Sequence, residues 1–168
     1  MTQTRLLLAE DDHALASILE EYLQESDFDI VVCHRGDDAL EILQSEPFDL
    51  VLSDIVMPGC DGLQLLFHVR EAQLDTLVML MTGYSGIENA IHAVEAGAYD
   101  FISKPFQLPE IRVRLENAAQ YLHLKRRFTA LEEQMEKLEQ QNTPPPESVK
   151  PAATMVTRAY GKNATGLL

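Results

Sequence analysis

Five short runs of Leu, Val, Ile and Met recur along the chain, near residues 5–9, 28–33, 48–53, 76–82 and 99–103. Each is followed by a segment whose apolar residues repeat at helical spacing. That alternation predicts βα repeats around a parallel sheet, with strands buried on both faces. In the first helical segment Leu15, Ile18, Leu19, Tyr22 and Leu23 share one face, and in the fourth Ile87, Ala90, Ile91 and Val94 do. Gly97 after Ala96 marks the end of the fourth helix, and Gly62 after Cys60-Asp61 marks the loop before the third. Right-handed crossovers wind such repeats into a doubly wound, three-layer α/β/α domain.

The fifth helical segment meets no breaker between Gln107 and Asn142-Thr143-Pro144-Pro145-Pro146. Its length of about 35 residues corresponds to roughly 50 Å, more than one small domain covers. Ile111, Leu115, Ala118 and Leu122 form its sheet-facing stripe, after which Tyr121, Leu124, Phe128, Leu131, Met135 and Leu138 recur at alternating spacings of three and four. This is the pattern of a short coiled-coil seam. With Tyr121 at position a, Arg127 falls at g and Glu132 at the following e, the pair that parallel two-stranded coils join across their interface. A parallel homodimer through residues 121–138 is therefore expected, with a solvated helix extension as the alternative. Lys125-Arg126-Arg127 reads as a solvated face of that helix. Beyond Asn142 the composition shifts to Pro, Thr, Ala, Ser and Gly, so a disordered tail is expected. The divisions are then 1–122, 123–141 and 142–168.

With 168 residues and 46% hydrophobic content the chain can bury one ordinary core. A formal charge of −14 argues against an intrinsic grip on nucleic acid, which requires clustered Lys and Arg. Cys33 and Cys60 show neither metal spacing nor a disulfide framework, and read as inert thiols. His13, His34, His68, His92 and His123 likewise lack ligand spacing and read as surface residues. Met1-Thr2-Gln3-Thr4-Arg5 leads into an apolar run too short for a signal peptide or a membrane span, so a cytoplasmic protein without membrane contact is expected.

Candidate chemistry sits where the apolar runs end. Glu10-Asp11-Asp12 follows the first run, Asp54 follows the third and precedes Ile55-Val56-Met57-Pro58-Gly59, Thr82-Gly83 follows the fourth and Lys104-Pro105 the fifth, while Gly36 closes the second. In a parallel sheet these ends converge on one edge, where open α/β folds place their sites. Taken singly each has a plain reading: a turn-forming acid, acids at a helix N-terminus, a strand-end hydroxyl, a surface lysine. Together they suit a hard cation such as Mg²⁺, held by oxygen ligands, with one ammonium available to a phosphoryl oxygen. A nucleophilic carboxylate attacking phosphorus needs that neutralisation. The helix phase that starts at Leu15 makes Glu10 and Asp11 the paired acids and leaves Asp12 as the cap of the first helix.

These residues resemble the receiver domain of the response regulators of two-component signal transduction, the CheY-like superfamily. The resemblance covers roughly residues 5–122 and rests on Leu8-Ala9-Glu10-Asp11-Asp12, Ser53-Asp54-Ile55-Val56-Met57-Pro58-Gly59, Met81-Thr82-Gly83 and Lys104-Pro105-Phe106, in order and at fitting spacing. It implies a flavodoxin-like five-stranded parallel sheet of order 2-1-3-4-5, here with an extended C-terminal helix. It implies that Asp54 accepts a phosphoryl group from a histidine kinase or phosphotransfer protein. Glu10, Asp11, Asp54 and the Val56 carbonyl would hold Mg²⁺, Thr82 and Lys104 would engage the phosphoryl group, and Thr82 and Phe101 would form the switch. Lys104-Pro105 would be a cis peptide. Val56 and Tyr84, two residues beyond Asp54 and Thr82, would hinder attacking water and give a long-lived acyl phosphate.

The implied role is a signalling switch acting on a downstream protein target, not an enzyme beyond its own phosphoryl transfer and dephosphorylation. The alternative is the N-terminal regulatory receiver of a larger transcription factor or signalling enzyme; the chain shows no Walker loop, Gly-Gly-Asp-Glu-Phe signature or helix-turn-helix. A haloacid-dehalogenase phosphatase would need Asp-x-Asp after the first strand. A flavin carrier would not place three acids where a phosphate binds.

Overall fold

The computed structural model describes residues 3–83 and 87–142. Strands and helices alternate as β1 (Thr4–Ala9), α1 (His13–Gln24), β2 (Phe28–Cys33), α2 (Gly36–Ser45), β3 (Leu50–Asp54), α3 (Gly62–Glu71), β4 (Leu77–Thr82), α4 (Ile87–Glu95), β5 (Asp100–Ser103) and α5 (Leu108–Asn142). The five strands form one sheet of order β2-β1-β3-β4-β5, every pair parallel. The fold is thus the flavodoxin-like α/β/α arrangement expected. Tyr84 and the segment from residue 143 lie outside the described residues, as does the expectation of a disordered tail.

Each strand feeds two cores because its side chains alternate between faces. Leu6, Leu8, Leu50, Leu52, Met79 and Met81 pack with Leu19 and Leu23 of α1 and Ile111, Leu115 and Ala118 of α5. Leu7, Ala9, Val51 and Leu80 pack on the other face with Leu43 of α2, Leu65, Leu66 and Val69 of α3, and Ala93 of α4. The central leucines are fully buried, so truncating one of them to Ala costs about 2–5 kcal/mol.

Two helical faces differ from their periodicity. Ile18 is half exposed on α1, and Ile91 and Val94 are each 54% exposed on α4 while Ala93 is fully buried. Small Ala93 lets α4 lie close to the sheet, and the bulkier β-branched residues beside it turn outward. β3 begins at Leu50 rather than near 48 because Asp49 turns its backbone N–H to the Arg5 carbonyl and its carboxylate to the Arg5 N–H.

The chain divides into two compact units, Met1–Thr129 and Ala130–Leu168. Within the first, Ile111, Leu115, Ala118 and Leu122 are buried, as their spacing requires. Lys125, Arg126 and Arg127 are exposed, as a solvated face requires, and two of them are also paired: Arg126 bonds Asp49 and Asp75, and Lys125 bonds Asp75. In the second unit the described residues, 130–142, continue α5. The stripe of Tyr121, Leu124, Phe128, Leu131, Met135 and Leu138 is 51–64% exposed.

Candidate functional site

β1 and β3 are neighbours with Ala9 opposite Ser53, so Glu10 and Asp54 emerge side by side at the carboxyl edge. Carboxylate oxygens of Glu10, Asp11 and Asp54 lie within 4.8 Å of one another. Lys104, which follows β5 and forms a cis peptide with Pro105, reaches across β4 to this cluster. Its Nζ donates to Asp54 Oδ2 at 2.6 Å and to Glu10 Oε2 at 2.8 Å. Thr82 closes β4 and is buried between them in strand order.

Local backbone chemistry aims each acid. Glu10 is fully buried, and its Oε1 accepts the Asp12 N–H. Asp12 itself caps α1, accepting the N–H groups of Ala14 and Leu15, which leaves Asp11 exposed as the third member of the cluster. Asp54 Oδ1 accepts the Val56 N–H at 3.1 Å. The loop returns to the site through Gly62, where a Cβ would stand 2.4 Å from the Asp54 carbonyl oxygen. Only glycine permits that approach. Asp61 and Gln64 then start α3 with a reciprocal capping box.

Three carboxylates against one ammonium leave excess negative charge in a largely dry place. Burial pushes the Glu10 carboxyl above its usual range, with the Asp54 charge adding to it and the Lys104 hydrogen bond opposing. Burial works against the Lys104 ammonium, yet its bonds to Asp54 and Glu10 prevail and raise its pKa. The donors are hard oxygens, few in number and deficient in positive charge, a set that fits a hard divalent cation such as Mg²⁺.

The remaining sequence candidates lie close by. Val56 follows Asp54 in the loop and is 75% exposed. Phe101 is half-buried on β5 and packs against the Leu7 and Leu80 core. Two histidines also border the site: His34 Nδ1 lies 2.9 Å from the Glu10 carbonyl oxygen, and its ring stacks on exposed His13. Sequence spacing could not have found this pair, because only the packing of α1 beside the end of β2 brings two residues 21 positions apart together. Burial raises the Cys33 thiol to about 12, consistent with an inert side chain. Among the described residues no helix is long and apolar enough to cross a membrane.

A doubly wound parallel sheet with three acids, a buried threonine and a bridging lysine at its carboxyl edge is an arrangement suited to oxygen-ligand chemistry. The model of the response regulator receiver domain matches residues 6–116, and the chain belongs to this family of two-component systems. The transcriptional activator protein PfeR of Pseudomonas aeruginosa is 40% identical over 122 residues, covering 73% of this chain and 40% of that protein. The Francisella response regulator 1452 receiver domain superposes with a TM-score of 0.67 at 27% identity, covering 71% of this chain and 98% of that one. NtrX from Brucella abortus superposes at 0.71 with 28% identity, covering 77% and 30% respectively. The chain spans half or less of the length of curated relatives such as PfeR and the DltR regulator of Streptococcus agalactiae.

Proposed function

We propose that this chain is a phosphorylation-driven switch in which Asp54 takes a phosphoryl group from the phosphohistidine of a kinase or phosphotransfer protein. An Asp54 oxygen bonds to phosphorus, the P–N bond breaks, and the imidazole leaves. The observation that carries this reading is Lys104 bridging Asp54 and Glu10 with Asp11 alongside. Mg²⁺ held by Glu10, Asp11, Asp54 and the Val56 carbonyl would supply positive charge against the phosphoryl oxygens. Lys104 stabilises the same charge from the other side. Thr82, buried beside them, donates its hydroxyl to the modified group, and Phe101 moves inward as Thr82 shifts. The face that changes carries exposed Ile91, Val94 and Tyr99, and a downstream protein reads it in the cytoplasm. The exposed Tyr121–Leu138 stripe pairs with that of a second copy, in parallel. The chain catalyses nothing beyond its own phosphorylation and dephosphorylation.

Intact mass after incubation with Mg²⁺ and acetyl phosphate tests the chemistry. One phosphate adduct in the wild type and none in Asp54→Asn is expected; an adduct that survives the substitution would remove Asp54 from its role. Exposed Val56 beside the acceptor, with Tyr84, favours a slow loss of the adduct, and decay within seconds at neutral pH would refute that part.

A second reading makes the chain the regulatory portion of a longer transcription factor. The names and lengths of the relatives favour it. The mass of the native polypeptide in its own cell decides between the two.

A further inference from the structure

We propose that Asp49, Asp75, Lys125 and Arg126 form an ionic mount that orders the root of α5 and so prepares the Tyr121–Leu138 stripe for a second copy of this chain. The inference rests on the homodimer reading given above. Past Leu122 the helix has no buried apolar residue among those described, and helices in proteins draw most of their stability from packing of an apolar face. Something other than packing must order its next turns.

The mount uses the guanidinium fork fully. Arg126 Nη1 donates to Asp49 Oδ1 at 2.6 Å, Nε to Asp75 Oδ2 at 2.6 Å and Nη2 to the Asp75 carbonyl at 3.0 Å. Lys125 Nζ adds a bond to Asp75 Oδ1 at 3.3 Å. Asp49 is itself held, since its other oxygen accepts the Arg5 N–H at 2.8 Å. Isolated exposed ion pairs contribute little, but a planar fork shared by two carboxylates that border β3 and β4 is geometrically specific.

Its position on the helix matters as much as its strength. With Tyr121 at a, Arg126 occupies f, the position opposite the a/d seam. Arg126 therefore engages the back of the helix and leaves the a/d positions clear, while Lys125 lies at the flanking e position. Tyr121, the first seam residue, also rests against the Tyr99 ring at 5.5 Å between centroids. A seam whose first turns are already ordered loses less conformational entropy on pairing. Arg127 and Glu132, at g and the next e, then favour a parallel partner.

The test uses the full chain, the double variant Asp49→Asn/Asp75→Asn and, as a fold-sparing second variant, Arg126→Gln. Amide hydrogen exchange and sedimentation equilibrium are read on each, with exchange in β1, β3 and β4 as the control for folding. Protection of residues 123–129 should fall about three- to fivefold, and the dimer dissociation constant should rise by about the same factor, in both variants. Unchanged protection in Arg126→Gln would overturn the mount. Lost protection with an unchanged dissociation constant would overturn its bearing on the second copy. A wild-type chain that sediments as a monomer at every concentration would overturn the homodimer reading itself.

Discussion

The two edges of the sheet use the same residue types to opposite ends. At the carboxyl edge Glu10, Asp11 and Asp54 converge on one lysine, and two of the three acids are buried. At the amino edge Asp49 and Asp75 meet Lys125 and Arg126, while Asp29 and Glu46 meet Arg5, and the side chains are largely open to solvent. The first cluster is short of positive charge and water reaches only its Asp11 side freely; the second is nearly balanced and more open to water. Burial together with charge imbalance marks a place that waits for a cation or an anion to complete it. Balance and exposure mark an attachment.

Removing the cation from each edge gives the largest expected contrast. Lys104→Gln leaves buried Glu10 facing Asp54 with no counter-charge, and should cost the metal-free chain about 2–3 kcal/mol. Arg126→Gln should cost at most about 1 kcal/mol. Urea unfolding of both variants, without divalent ions, makes the comparison. Equal losses would mean that the amino-edge network is as critical as the pocket.

Much of this contrast could be read along the chain, and the rest could not for definite reasons. The strand ends that carry Glu10, Asp54, Thr82 and Lys104 are legible because an apolar run stops abruptly at a polar residue. Parallel topology then brings those ends together without any knowledge of side-chain contacts. Arg126 was not legible: its partners Asp49 and Asp75 lie in two separate loops, and nothing in a basic helical triplet tells paired from solvated. The α4 face misled for a related reason. Ile91 and Val94 keep helical period whether they meet a core or a partner, and only the depth of Ala93 in the fold shows which way the helix lies.

Magnesium sharpens the comparison at a smaller scale. If Mg²⁺ binds the folded pocket as proposed and not the unfolded chain, it should stabilise the wild type by about 1–2 kcal/mol when present at ten- to thirtyfold over its dissociation constant. Asp11→Asn should lose that response while gaining about 0.5 kcal/mol without metal, since it relieves like-charge repulsion. Thermal unfolding with and without Mg²⁺ reads both. A response that persists in Asp11→Asn would place the cation elsewhere.

The two edges should also titrate in opposite senses. Burial holds the Glu10 carboxyl above 4.5 in the folded chain. Its contribution is full below that value and is lost as pH rises through the raised folded pKa. The Asp75 carboxyl is held below 3.8 by the Arg126 hydrogen bond. Its contribution is present above 3.8 and is lost as pH falls through the lowered folded pKa. Stability against pH, measured for the wild type, Glu10→Gln and Asp75→Asn, separates the two by difference. Differences of the same sign would show that one cluster's charge environment has been misassigned.

The smallest effect concerns the loop that delivers Asp75 to the mount. Gln73 has φ 51°, the left-handed region, as α3 gives way to β4. Its N–H bonds the Arg70 carbonyl and that of Leu74 bonds the Val69 carbonyl, so the turn is fixed by hydrogen bonds that the Gln73 side chain does not make. A non-glycine residue there costs about 1 kcal/mol relative to glycine, partly offset by the larger entropy glycine loses on folding. Gln73→Gly should therefore raise stability by a few tenths to about 1 kcal/mol, while phosphorylation at Asp54 stays unchanged. Loss of stability instead would mean that the exposed glutamine side chain helps to hold Asp75 where Arg126 meets it, and that the amino edge is less tolerant than its exposure implies.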